Sequence, residues 1–361
     1  MRRSKWYPAT ALAAASTLVL VGCGGSSSKA TSSSSPSAAG AAAPSSAAPT
    51  GQQTGCASAK GKTVGYSEPI PDPNFKAIEK IISAQLEKVG ASLKPVNANL
   101  DPGKQVADIQ SLIQSKVSVL IANPVDPNST KPAFARARSA GIPIVAQETT
   151  VGEPFLTNVT ADVEAAATGG AKDLKAAVGS GQVAAVDGPS FAEVLVRENT
   201  AFDKGAKEAG LTVVAKQANQ QITPQGAKAI ADAYKSRYGK NLKGIWTFND
   251  TSAIGVASSL GGDFNPAIVS INAQPEAIPL VQSGKILATY DIQQDKLAQA
   301  LAFSALAGLC KTSVPSEIVV PVKKYDKSNI SSYRPLDQRV NDPFNVEFEQ
   351  KNGRNYLKTS S

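Results

Sequence analysis

The sequence predicts an α/β protein built as two doubly wound lobes with parallel sheets. Three observations carry that reading. Lys60 to Ser361 is a stretch of about 300 residues, more than one hydrophobic core usually holds. Short apolar runs alternate with amphipathic segments along it, and run after run ends in an amide or a carboxylate.

The runs fall at Thr63–Ser67, Val117–Asn123, Ile142–Gln147, Gln182–Asp187, Leu211–Gln217, Gly244–Asn249, Ala267–Asn272 and Ile286–Ile292. Several are apolar on both faces, as strands of a parallel sheet covered by helices are. After the first run, Phe75, Ile78, Ile82, Leu86 and Val89 recur at intervals of 3, 4, 4 and 3, which makes one helical stripe. Asp72-Pro73 starts that helix and Gly90 stops it. Asp101-Pro102 opens a second helix carrying Val106, Ile109 and Ile113, and Thr223-Pro224 opens another. Such strand-helix repeats wind as right-handed βαβ units into an open sheet.

The polar run ends are Ser67-Glu68, Asn123, Gln147-Glu148, Asp187, Asn249-Asp250, Asn272, and Asp291 with Gln293. In open α/β sheets the carboxyl ends of the strands face the ligand crevice. Two facing lobes would bring these groups to one cleft. Amides and carboxylates suit hydroxyl-rich ligands, because together they accept and donate. Any one of them could instead be a turn former that caps the next helix. The set is the stronger argument, since both halves repeat it.

Other chemistries are excluded or weakened. The chain has no histidine, which rules out Ser-His-Asp triads and His-based zinc sites. Asp187-Gly188-Pro189-Ser190-Phe191-Ala192 loosely resembles a nucleophile elbow, but it lacks the usual base and Pro189 suits a loop. A His-free serine hydrolase using Ser190 is therefore a distant third reading. No phosphate-binding loop or dinucleotide fingerprint occurs, so no cofactor or metal is expected. The formal net charge is +8, three of it from Arg2, Arg3 and Lys5, which leaves +5 on a processed chain. Its cations are scattered, so nucleic acid is not an expected partner.

The N-terminus points to export. Arg2, Arg3 and Lys5 precede an apolar stretch from Ala9 to Gly22, too short for a secure membrane span. Leu20-Val21-Gly22-Cys23 then resembles the bacterial lipobox. That resemblance implies cleavage after residue 22 and acylation of Cys23. The expected location is the extracytoplasmic face of the cell membrane, held by lipid alone. Residues 24–55 are nearly all Gly, Ser, Ala, Thr, Pro and Gln, with Lys29 the one charge, and should stay disordered. Such a tether, which with Cys23 and the approach to the domain fills 23–59, spans on the order of 30 Å. Cys56 and Cys310 are the remaining cysteines. Export permits a disulfide between them; two free thiols are the alternative.

A family resemblance rests on an ordered series of motifs. These are Val64-Gly65-Tyr66-Ser67, Pro73-Asn74-Phe75, Asp101-Pro102-Gly103-Lys104-Gln105 and Ile121-Ala122-Asn123-Pro124-Val125-Asp126. Ala140-Gly141-Ile142-Pro143-Ile144-Val145, Phe248-Asn249-Asp250 with Ala253-Ile254-Gly255, and Ser283-Gly284-Lys285-Ile286-Leu287-Ala288-Thr289 continue it. Together they resemble the ribose-binding type of periplasmic sugar-binding protein, the type I, lac-repressor-like class, over roughly residues 62–325. The resemblance implies two lobes joined by a three-strand hinge. Lobe one would hold 60–156 and 293–323, and lobe two 157–292 with the tail 324–361. It places Cys56 and Cys310 in lobe one, where a disulfide would leave the hinge free.

The family's ligand contacts carry over unevenly. Asn123 and Asn249 match its sugar-binding amides, and Phe75 matches a stacking aromatic, with Phe191 or Trp246 as further candidates. Elsewhere the pattern changes. Lys76 replaces a second aromatic, Glu148-Thr149 stands for an Asp-Arg pair, and Asn272 stands for an aspartate. Arg197 lies one residue out of register with the usual lobe-two arginine, and Gln293 only neighbours the position of the late glutamine. The candidate ligand set is Phe75, Asn123, Glu148, Arg197, Asn249, Asp250, Asn272 and Gln293. The resemblance implies a monomeric solute-binding lipoprotein that delivers a small polar ligand, a sugar or polyol, to an ABC permease. A sensor that presents its closed form to a receptor or kinase is the alternative.

Overall fold

The computed structural model describes residues 56–359. The expected leader 1–22, Cys23 and the tether to residue 55 lie outside the described residues.

One chemical device starts the early helices. In lobe one, β1 (Thr63–Glu68), α1 (Pro73–Glu87), β2 (Ser92–Asn97), α2 (Pro102–Gln114), β3 (Val119–Ala122), α3 (Pro127–Ser139), β4 (Ile144–Gln147) and β5 (Thr157–Ala161) follow in order. Each of the three helices opens on proline behind an aspartate, Asp72, Asp101 or Asp126, whose side chain accepts from two backbone N–H groups. Proline has no N–H to leave unpaired in the first turn, and the aspartate satisfies the donors that remain. α1 ends at Glu87, close to the expected stop at Gly90, which adopts φ +72°.

The second lobe runs through α4 (Val163–Val178), β6 (Gln182–Asp187), α5 (Glu193–Glu208), β7 (Thr212–Ala218), α6 (Pro224–Tyr238), β8 (Leu242–Thr247), α7 (Asp250–Ala257), β9 (Ala267–Ile271), α8 (Ile278–Gln282) and β10 (Ala288–Asp291). α9 (Gln294–Cys310) and β11 (Glu317–Val320) return to lobe one, and β12 (Lys323–Asp326) goes back to lobe two. The first sheet has the order β13-β14-β11-β5-β4-β3-β1-β2, where β13 (Phe348–Lys351) and β14 (Arg354–Leu357) form a C-terminal hairpin. The second has the order β12-β10-β9-β8-β6-β7. Neighbours pair in parallel except β12 on β10 and β13 on β14. This is the α/β architecture of two mainly parallel sheets that the sequence predicts.

Both sheets are covered on both faces. In lobe one, α1 and α9 bury Ile82, Leu86, Leu301 and Phe303 against one face, while Ile109, Leu112 and Phe134 from α2 and α3 cover the other. In lobe two, Trp246 of β8 is fully buried and stacks on Phe202 of α5 with ring centroids 4.9 Å apart. Trp246 is therefore a core residue and not the ligand-facing aromatic the sequence offered. Gly170 of α4 allows this packing, since a Cβ there would lie 2.7 Å from the Trp246 ring.

The lobe boundaries differ from the expectation in two places. Thr157–Ala161 pairs with both β4 and β11 in the first sheet, so the chain leaves lobe one at Asp162 and not after residue 156. The tail does not stay in lobe two. Ile330 and Tyr333 pack in the second lobe's core, α10 (Leu336–Arg339) then packs against α1 and α9, and the β13–β14 hairpin extends the first sheet beyond β11. The chain thus passes between lobes at 161–163, 291–294 and 320–323, as the resemblance implies, and a fourth time between Tyr333 and α10.

Bonds along these passages knit the hinge. Gln293 has φ +51°, its N–H donates to Asp291 Oδ1 at 2.7 Å, and its side chain donates to the Pro321 carbonyl at 2.5 Å. Tyr356 Oη donates to Asp162 Oδ2 at 2.7 Å. Arg339 of α10 reaches Asp291 at 2.9 Å and Asp295 at 2.7 Å, all three side chains being largely buried. Cys56 is bonded to Cys310 at the end of α9 within lobe one.

Candidate functional site

Between the lobes lies a cleft of about 510 Å³, entered by the carboxyl ends of β1, β3, β4, β8 and β9. Lobe one lines it with Asp72, Asn74 and Phe75 at the start of α1, with Asn123 after β3, and with Gln147 and Glu148 at the end of β4. Lobe two supplies Phe191, Leu195 and Glu198 around α5, Gln221 after β7, Phe248 and Asn249 after β8, and Asn272 and Gln274 after β9. Ile292 and Gln294 line the hinge side.

The amides are held but not used up. Gln105 braces the Asn123 loop, donating to the Asn123 carbonyl at 2.8 Å and accepting from Val125 N at 2.7 Å. The side chains of Asn123 and Asn272 make no hydrogen bond to another described residue. Asn249 Oδ1 accepts from Ser252 N at 2.8 Å and so caps α7. That cap leaves the Asn249 amide N–H₂ unbonded beside the cleft, so capping α7 does not preclude a ligand role. Gln147 Oε1 is fixed by Tyr66 Oη at 2.9 Å.

Glu148 is a buried carboxylate with φ +60°. Its oxygens accept from Thr160 Oγ1 at 2.7 Å and Ala161 N at 2.8 Å. Burial pushes its pKa up, against the pull of Arg197 at 3.7 Å and of these two bonds. Across the mouth of the cleft, Glu193 of α5 accepts from Thr149 Oγ1 at 2.5 Å and Thr150 Oγ1 at 2.9 Å, which ties the lobes together.

Three sequence candidates have other partners and do not line the cleft. Arg197 forms a two-pronged pair with Glu164 of α4, at 2.7 and 2.9 Å. Asp250 is fully buried and accepts from Ser270, from Thr289 at 2.7 Å and from Gln274 N at 2.6 Å. Burial pushes Asp250 up to about 7 despite those bonds. It organises the floor of lobe two. Gln293 is held at the hinge, as described above. Phe75, Asn123, Glu148, Asn249 and Asn272 do meet in the cleft, and Phe191 lies at its edge.

Sequence reasoning missed Glu198, Gln221, Phe248 and Gln274. Glu198 is next to Arg197, and adjacent helical residues point about 100° apart, so a one-residue offset decides which of them enters the cleft. The exposed loop residue Ser190 is not among the lining residues, and Asp187 pairs with Lys216 at 3.3 Å.

Two parallel α/β lobes with facing strand ends and a polar cleft define a bilobal solute-binding protein. The chain belongs to the periplasmic binding protein domain family, whose match covers residues 69–312. It is similar to the ribose import binding protein of Bacillus subtilis, 25% identical over 67% of this chain and 80% of that one. It is also similar to the xylitol-binding protein of Mycolicibacterium smegmatis, 27% identical over 54% of this chain and 56% of that one. Among solved structures, the periplasmic ribose ABC transporter protein of Conexibacter woesei superposes with a TM-score of 0.70 at 21% identity, covering 80% of this chain and all of that one. A solute-binding protein of Mycobacterium smegmatis with bound glycerol gives 0.69 at 24% identity, covering 75% and 96%. The family is one of type I periplasmic sugar-binding proteins, which bind without turnover, so the hydrolase reading falls.

Proposed function

We propose that this chain captures a sugar or polyol between its lobes and delivers it to an ABC permease, as a monomer tethered outside the cell membrane by an acylated Cys23. The carrying observation is the cleft itself: unoccupied amides from both lobes beside the rings of Phe75 and Phe248, at strand ends. Hydroxyls pair with such amides, and the apolar C–H face of a sugar packs on the rings. The names of the relatives support the ligand class.

A thermal-shift panel of pentoses, hexoses, pentitols, hexitols and inositols tests the reading. A ligand that binds only the folded state at a hundredfold excess over its dissociation constant adds about 2.7 kcal/mol of stability. Asn123→Ala and Asn249→Ser, the second of which keeps a capping hydroxyl, should each weaken the best ligand by about one to two decades. Unchanged affinity in both would place the site elsewhere.

Anchoring has its own test. Residues 1–22 would be removed as leader and 23–55 would serve as tether, shorter than the expected 23–59 because Cys56 to Ala59 are joined to lobe one by the disulfide and a short 3-10 turn. Cys23→Ser should move the protein from the detergent phase to the aqueous phase on partitioning. A variant that stays in the detergent phase would contradict lipidation.

A further inference from the structure

We propose that the ligand carries an ammonium group among its hydroxyls, and that Glu198, with Glu148 beside it, is the group that reads it. This rests on the sugar or polyol reading above and narrows it to amino-substituted members.

Among the described residues, the charged ones lining the cleft are Asp72, Glu148 and Glu198, with no lysine or arginine among them. Asp72 is engaged in capping α1, and Glu148 accepts from Thr160 and Ala161. Glu198 differs from both. It is only 4% exposed, yet no hydrogen bond or ion pair joins it to another described residue. Glu198 lines the cleft, so a ligand entering there is the available partner.

The charges that face Glu198 are Glu148 from the end of β4, Glu164 from α4 and Arg197 from its own helix α5. Arg197 is already held by Glu164, so two carboxylates and one engaged guanidinium surround a third carboxyl. That environment attracts a cation and repels an anion. Burial, followed by the neighbouring Glu148, pushes Glu198 well above the usual carboxylate range.

The proton then has a defined course. Below its raised pKa the free protein holds Glu198 protonated. When an ammonium ligand binds, Glu198 ionises, its proton passes to solvent, and a charge-assisted N–H···O bond forms. A neutral polyol needs no such release, because protonated Glu198 donates one hydrogen bond to it. Affinity for the amino ligand should therefore rise with pH up to the free-protein pKa of Glu198, while the ligand amine stays charged.

Calorimetry on the full-length protein tests this with matched pairs: D-glucose and D-glucosamine, D-glucitol and 1-amino-1-deoxy-D-glucitol, and myo-inositol and an amino-deoxy-inositol. In at least one pair the amino member should bind tenfold tighter or better, with proton release seen by repeating it in buffers of different ionisation enthalpy. Glu198→Gln, which keeps the side-chain shape, should abolish that preference and the proton release. If the hydroxyl member binds as well or better in every pair that binds, the ammonium inference is overturned and the sugar or polyol reading stands. If no member of any pair binds, the ammonium inference falls, and the wider thermal-shift panel alone decides the sugar or polyol reading.

Discussion

Arg339→Ala is expected to lower the stability of the folded protein by about 3–5 kcal/mol at pH 7, the usual cost of leaving buried carboxylates without their partner. Arg339 lies between Asp291, the last residue of β10, and Asp295 in the first turn of α9, and each carboxylate is 2% exposed. Lys296 sits 3.9 Å from Asp295, too far to take over the bond. Even with Arg339 in place, burial holds Asp291 above its usual range. Removing the guanidinium raises it further, so the folded variant keeps a proton that the unfolded chain loses near pH 4. The deficit should therefore be small at pH 4 and grow as pH rises from there. Urea denaturation at the two pH values measures it, and a loss below about 1 kcal/mol at pH 7 would contradict the buried-pair account.

Loss of the Cys56–Cys310 bond should be nearly as costly. It closes a sequence separation of 254 residues, for which chain entropy alone gives about 5 kcal/mol as an upper figure, with roughly 2–5 seen on removal of native disulfides. The double variant Cys56→Ser, Cys310→Ser should fall in that range by urea denaturation. Its ligand affinity should stay within about twofold, under 0.5 kcal/mol, because both ends of the bond lie in lobe one. Ready alkylation of both thiols in unreduced native protein would show that the bond does not form.

How far the sequence announced this structure depends on what each segment buries. Strands such as Val119–Ala122 and Ile144–Gln147 are buried throughout and apolar nearly throughout, so their runs stand out. β2 was illegible because it is an edge strand, largely exposed, with Pro95 inside it. β5 is fully buried but reads Thr-Asn-Val-Thr-Ala, since its position between lobes calls for polar side chains such as Thr160. The C-terminal hairpin carried a signal that went unused. Asn352-Gly353, both at positive φ, is a two-residue turn of the kind that favours tight hairpins, but charged flanks concealed it.

The site shows the same division. Strand-end residues could be read, because a strand's direction fixes which end faces the cleft. Phe75 could be read only through the family resemblance, which places a stacking aromatic at its position. Glu198 could not, because it lies inside α5, where only the helix's rotation decides what enters the cleft. Asp250 was visible as a strand-end carboxylate, but nothing in the chain indicated that Ser270 and Thr289 would enclose it from neighbouring strands.

The tail's return to lobe one matters to anyone converting this molecule into an optical reporter. Cys56 and the hairpin ending at Leu357 belong to the same lobe, so both described chain ends ride on one body. Fluorophores fused at the two ends would keep their separation whatever the other lobe does, and the signal would not change on closure. One of the pair has to be inserted within lobe two. The tight turn at Gly262-Asp263, exposed and bounded by the Gly261–Phe264 bridge, offers a place where added chain leaves the sheet, the cleft and the hinge untouched.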